Sequence, residues 1–312
     1  MTALAPVLLF VYHRLDHTIQ TVEALKKNYL VADSQLIVYS DAPSKTEHEA
    51  GVKEVRNFLT TISGFKNVKI ISQSENKGLA RSIVEGVTEQ VEIYGKVIVL
   101  EDDLITSPYF LQYMNAALVL YQDDLQVMQV SGYTWPLKKR SVNTCFLQFA
   151  SSWGWATWSR AWKHLSMDTD VHIEKITKRN AITHFNFDNG MGFFEHLLLN
   201  KAGTMNTWAV KWYASMFLQD GLCLFPDKTL VKNIGHDGSG ENSKRNKLFI
   251  DQEVCNKQIS VRRIAVKEDK ATRNLVSSFF KLMNGTPSSG QVLRNKIRDK
   301  IKYEYRKIIG KK

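Results

Sequence analysis

Three consecutive carboxylates, Glu101-Asp102-Asp103, follow the apolar run Val97-Ile98-Val99-Leu100. A short apolar run of this kind crosses a core as a buried strand, so the triplet emerges at a strand end. Three like charges at one point repel, and burial strips their hydration, unless a cation or hydroxyl partner offsets the cost. A divalent ion is the natural partner, because Mg2+ and Mn2+ take one or two carboxylates and complete their shell with phosphate oxygens. An ion bridging a diphosphate also stabilises it as a leaving group, which sugar transfer from a nucleotide-sugar requires. The competing reading is an acid-rich helix start. Against it, Leu104-Ile105-Thr106 separates the triplet from the helix signal at Ser107-Pro108.

The elements that must position this triplet alternate. Residues 6–12, 35–40, 68–72 and 96–100 read as strands, and 18–28, 44–61 and 79–94 as helices. Apolar strands alternating with helices predict a parallel sheet covered on both faces, doubly wound by right-handed crossovers. Ligands of such sheets sit beyond the carboxyl ends of the strands. There the chain places Tyr12-His13-Arg14, Ser40-Asp41 and the triplet. No G-x-G-x-x-G follows the first strand, which argues against a dinucleotide site, and no Walker lysine loop is present.

In the order of these motifs the chain resembles the GT-A superfamily of glycosyltransferases, in particular family-2-like bacterial enzymes and the eukaryotic N-acetylglucosaminyltransferase that starts complex N-glycans. The resemblance runs from about residue 6 to 242. It rests on Tyr12-His13-Arg14, Ser40-Asp41, Asn76-Lys77-Gly78-Leu79-Ala80-Arg81 and Val99-Leu100-Glu101-Asp102-Asp103-Leu104. Ser152-Trp153-Gly154-Trp155-Ala156 and Asn233-Ile234-Gly235-His236 complete it. It implies an α/β GT-A fold, with a Rossmann-like, mostly parallel sheet flanked by helices and an acceptor-binding second half. It also implies nucleotide contacts from Arg14, Asp41, Glu101 and Asp102, and a Mn2+ or Mg2+ ion on Asp103. Lys77 and Arg81 are expected beside the diphosphate, or on a solvated helix start. His236 is expected to ligate the metal or bond a phosphate, with the following glycines letting its loop close.

Seven tryptophans crowd the middle of the chain. Indole stacks on the apolar faces of sugar rings and its N–H reaches hydroxyls. Trp158 and Trp162 are spaced like one helix face and read as core, whereas Trp153 and Trp155, flanking Gly154, are expected to contact sugar. An inverting enzyme needs a carboxylate base, and the eukaryotic relative carries an acidic pair between two tryptophans. The comparable stretch here, Trp208-Ala209-Val210-Lys211-Trp212, has no acid and puts Lys211 at the base position. Protonated lysine accepts no proton. Glu195, which interrupts the apolar run Gly192-Phe193-Phe194, is the best substitute base, with Asp188, Asp220 and Asp237 as open candidates, and a retaining transferase, which would not use a base of this kind, is the alternative.

Net charge is +11, and between residues 293 and 312 nine basic residues meet only Asp299 and Glu304, a surplus of seven. Leu293, Ile297, Ile301 and Tyr305 recur there every four residues, an amphipathic basic helix suited to an anionic membrane surface. A Gly/Pro/Ser stretch at 285–290 reads as a hinge before it. The expected division is a nucleotide-sugar-binding half (1–106), an acceptor-binding and catalytic half of the same domain (107–260) and a basic extension (261–312). Cys145, Cys223 and Cys255 lack paired metal-ligand spacing, which fits a reducing compartment. No apolar stretch approaches the roughly 20 residues of a transmembrane helix. The expected location is the cytoplasm, peripheral on the inner membrane face, and the resemblance implies a nucleotide-sugar donor and a glycan or lipid-linked acceptor. The balanced charge of the body gives no nucleic-acid footprint. A sugar-1-phosphate nucleotidyltransferase would want a Gly-rich basic loop after the first strand, and a carbohydrate-binding protein would leave the triplet unexplained.

Overall fold

The computed structural model describes residues 3–137, 144–238 and 247–284. The hinge expected at 285–290, the basic helix after 293, and Gly240, Glu241 and Asn242 lie outside the described residues. The first half alternates as the sequence requires: β1 (Val7–Val11), α1 (Leu15–Lys26), β2 (Gln35–Ser40), α2 (Glu49–Leu59), β3 (Asn67–Ser72), α3 (Gly78–Tyr94) and β4 (Lys96–Glu101). β1 is buried along its whole length, because it sits between β2 and β4 in parallel register with helices over both faces. β3 pairs with β2 alone and is largely exposed, as an edge strand is.

Beyond the triplet come β5 (Leu104–Thr106), α4 (Phe110–Leu120), β6 (Val127–Ser131), β7 (Cys145–Leu147) and β8 (Trp155–Trp158). Helices α5 (Ser159–Trp162), α6 (Thr169–Lys178), α7 (Ile182–Phe185), α8 (Phe193–Lys201) and α9 (Ala209–Leu218) follow. The described chain ends with β9 (Leu222–Phe225), β10 (Val231–Asn233), α10 (Lys247–Ile250) and α11 (Lys270–Asn284). Eight strands form one sheet in the order β3-β2-β1-β4-β8-β6-β9-β7. Its first four strands are parallel, and β8 enters antiparallel between β4 and β6.

Two features outside the main sheet shape the site. β5 and β10 form a separate antiparallel ribbon, with Asn233 opposite Leu104 and the Ile234 amide bonded to the Asp103 carbonyl at 2.9 Å. The ribbon brings a segment more than a hundred residues away onto the triplet. α6, α7, α8 and α9 enclose a second core around Ile176, Phe185, Leu197 and Ala214. α11 closes the β7 end of the sheet, with Val276 fully buried and Phe280 edge-on to Trp135 at 5.7 Å. The folded body therefore continues through α11 among the described residues.

Candidate active site

The carboxyl ends of β1, β2 and β4 open into a cleft of about 590 Å³. Arg14 reaches it from the start of α1, Asp41 from the end of β2, and Glu101, Asp102 and Asp103 from the end of β4. Trp153, Trp208 and His236 line the same cleft.

The Arg14 guanidinium donates through Nη2 to Asp102 Oδ1 at 2.6 Å and to Asp103 Oδ2 at 2.8 Å. Its Nη1 is buried and makes no hydrogen bond. Burial opposes the charge of Arg14, but Asp102 and Asp103 together outweigh it and raise its pKa above the ordinary value. Burial, then repulsion from Asp103 and Asp102, pushes the Glu101 carboxyl well above the usual range. Burial also raises Asp102, with Arg14 pulling the other way. One guanidinium thus serves Asp102 and Asp103 with Glu101 beside them, and in this partly dry setting a further cation would favour the ionised carboxylates that burial and mutual repulsion disfavour. That donor set fits a divalent cation whose remaining ligands come from phosphate and water. Among the described residues no group of three or more His, Cys, Asp or Glu converges to hold an ion by itself.

Gly235 is needed where the ribbon meets the triplet. A Cβ on it would lie 2.1 Å from Asp103 Oδ2 and 3.2 Å from Arg14 Nη1. The next residue, His236, sits in a short 3-10 turn, its ring 5.2 Å from Trp153 and 4.9 Å from Phe249.

Asp41 lines the cleft, but its carboxylate also serves the fold. Its Oδ1 accepts from the amides of Ala42 and Lys77, both at 2.9 Å, and its Oδ2 from the Gly78 amide at 2.8 Å. It thereby satisfies backbone donors at the start of α3. Lys77 and Arg81 are not brought to the cleft. Both side chains turn to Glu85, Lys77 Nζ at 2.7 Å and Arg81 Nε at 2.6 Å, because one helix face puts Arg81 and Glu85 four residues apart.

The tryptophan pair divides. Gly154 takes φ +60°, and the chain turns there so that Trp153 faces the cleft while Trp155 enters β8. Trp155 is fully buried and stacks on Trp208 at 5.1 Å, so the sugar contact expected of it is corrected to a core role. Trp158 and Trp162 are buried too. Trp208, which opens the stretch comparable to the relative's tryptophan-flanked acids, also lines the cleft, as do Asn206 and Thr207, to which nothing in the sequence pattern points. Asn200 holds that loop by accepting from the Thr207 amide at 2.9 Å and donating to its hydroxyl at 3.0 Å.

Glu195, the expected substitute base, is not among the residues lining the cleft. It lies in the first turn of α8, outside the cleft lining, with Oε2 buried, unbonded and turned back towards Gly192. An acid in a first turn is favoured by the helix dipole, which accounts for it there. Lys211 is buried on α9, and burial lowers its pKa. Among the described residues the cleft holds no carboxylate beyond the triplet and Asp41.

No curated protein matches this chain. Among solved structures, the mannosyltransferase PcManGT from Pyrobaculum calidifontis, in complex with GDP-Man and Mn2+, aligns over 70% of this chain and 69% of its own, at 10% identity and TM-score 0.36. S. aureus TarS, residues 1–349, aligns over 74% of this chain and 61% of its own, at 11% identity and TM-score 0.39. A family model describes more of what the sequence itself holds: the GNT-I model matches residues 2–170, which include β1 to β4, the acidic triplet and the Trp153–Trp155 turn. That match spans more than half of the chain, which therefore belongs to the GNT-I family and is a glycosyltransferase of the nucleotide-sugar-dependent kind.

Proposed function

We propose that the cleft binds a UDP-sugar with Mn2+ or Mg2+ and that the enzyme transfers the sugar, with inversion, to a hydroxyl of a glycan or lipid-linked glycan in surface polysaccharide synthesis. The observation that supports this reading is the meeting of Arg14, Asp102 and Asp103 with Trp153 and His236 in one cleft. Its volume lies within the roughly 300–1,000 Å³ of small-ligand sites. In this reading residues 1–106 hold the nucleotide, with Asp102 at the ribose and Asp41 near the base. Residues 107–260 receive the acceptor, with Trp153 offering its face to a sugar ring.

Asp103 would hold the cation, with His236 beside it. The cation, when bound, supplies positive charge to the departing diphosphate. Arg14 is the one guanidinium lining the cleft among the described residues, and it can give a second positive contact to a phosphate oxygen. An inverting reaction also needs the acceptor proton removed. Within the described cleft only Asp41 and the triplet carry carboxylates for that task. The basic segment after residue 293 would hold the enzyme at an anionic membrane on the cytoplasmic side.

Calorimetric titration with UDP, GDP and a panel of their sugars, in Mn2+ or in EDTA, tests the donor site. Wild type should bind one UDP-sugar only with the ion, and Asp103→Ala should weaken that binding at least tenfold, about 1.4 kcal/mol. Binding indifferent to both the ion and the substitution would return the triplet to a structural role.

A further inference from the structure

We propose that Arg14 is the resident counter-ion of the divalent-cation site and makes cation binding and donor binding depend on each other. The proposal rests on the reading of Asp103 as a cation ligand given above. Arg14 Nη2 is bonded to one oxygen of each aspartate, at 2.6 Å and 2.8 Å, and the ion pair is largely buried, with the Arg14 side chain 17% exposed. A divalent ion drawn to Asp103 meets this guanidinium first. It must displace the guanidinium from Oδ2 or bind beside a positive charge, and both weaken its hold. The Asp102 carboxylate is held from the other side, because its Oδ2 accepts from the Tyr12 amide, and the Asp103 backbone is fixed by the bond from the Ile234 amide to its carbonyl.

The same geometry shows how a nucleotide would release the lock. Arg14 Nη1 is buried without a hydrogen bond, a donor held ready for an acceptor. A diphosphate oxygen is such an acceptor, and a guanidinium drawn to it leaves Asp103 Oδ2 to the cation. Diphosphate and cation then favour each other at the protein, over and above their attraction in solution. By linkage each must raise the affinity of the other by the same factor. Gly235 keeps this corner open, since a side chain there would press on both Asp103 and Arg14.

Mn2+ binding, read from the loss of the free-ion EPR signal, tests the idea on the full chain with and without UDP. For Arg14→Gln, Mn2+ alone should bind at least tenfold tighter than to wild type, while UDP in saturating Mn2+ should bind at least tenfold weaker. The UDP-induced gain in Mn2+ affinity should shrink accordingly. A residue that merely supports the fold would move both affinities in the same direction. Arg14→Lys keeps one charge but cannot span both carboxylates, so it should fall between wild type and Arg14→Gln. It carries the test if three unbalanced carboxylates prevent the glutamine variant from folding. Unchanged or weaker binding of Mn2+ alone in the folded variants overturns the proposal. Failure of wild type to bind Mn2+ even with UDP, or full retention of that binding by Asp103→Ala, would instead overturn the cation site on which it rests.

Discussion

Asp103 shows how a side chain's chemistry depends on what a distant glycine leaves room for. Its Oδ2 would lie 2.1 Å from a Cβ at position 235, closer than any real contact, so Gly235→Ala must push apart either the ribbon or the Arg14–Asp103 pair. We expect a stability loss of about 1–3 kcal/mol from this overpacking. UDP affinity in Mn2+ should fall at least tenfold, about 1.4 kcal/mol. Chemical denaturation and calorimetry measure the two effects separately, and an alanine variant with wild-type affinity would show that the contact is not part of the donor site. The triplet itself is legible in the sequence because three adjacent carboxylates at the end of an apolar strand cost stability unless a positive partner meets them. The contact with Gly235 is not, because spacing along the chain carries no record of which ribbon closes on which loop. Trp155 misleads for a related reason. Trp153 and Trp155 read alike beside Gly154, but the chain turns at its +60° φ so that Trp155 enters the core and, of the two, Trp153 alone lines the cleft.

At the scale of elements, strands with local signals are readable, and packing between helices is not. β2 runs from Gln35 to Ser40, one residue beyond the apolar run Leu36-Ile37-Val38-Tyr39 at each end, because a parallel strand buried on both faces reads as a continuous apolar run. By contrast the sequences of α8 and α9 do not say which helices they pack against, and the place of Glu195 in the first turn of α8, outside the cleft lining, is not legible from its apolar neighbours. The contact between α6 and α9 carries a consequence for acid stability. His172 on α6 is buried, with Nε2 3.1 Å from Ser215 Oγ and Nδ1 without a hydrogen bond. Burial lowers its pKa from 6.5 to about 4, Lys175 and Lys211 adding to the effect and Asp168 opposing it. A histidine depressed in the folded state is held neutral there. Its contribution is complete above its unfolded pKa of 6.5 and is lost as pH falls towards the folded value near 4. Wild type should therefore lose up to about 3 kcal/mol more than His172→Gln between pH 7 and pH 4. Urea unfolding of both proteins across that range measures the difference, and parallel pH curves would remove the histidine from the account.

For the molecule as a whole, the question is where the folded body stops and the basic segment starts. Amphipathic periodicity cannot decide it, because a helix docked on the sheet and one docked on lipid show the same stripe. α11 is of the first kind. Val276 is fully buried, Phe280 meets Trp135 and Phe187, and Arg273 binds Glu268 at 3.2 Å and the His184 carbonyl at 2.8 Å. Burial of Val276 and Phe280 contributes about 1.5–3 kcal/mol each. A chain ending at Asp269 should accordingly lose several kcal/mol and expose the Trp135 wall. A chain ending at Asn284 keeps every one of these contacts, so its melting temperature and its UDP affinity in Mn2+ should match those of the full chain. What it lacks is the surplus of seven positive charges after residue 293, worth about 1 kcal/mol each at an anionic surface. Sedimentation with phosphatidylglycerol vesicles should therefore capture the full chain at low salt, lose it at high salt, and fail to capture the chain ending at Asn284. Equal capture of both chains would place the attraction in the folded body and end the case for a membrane-binding tail.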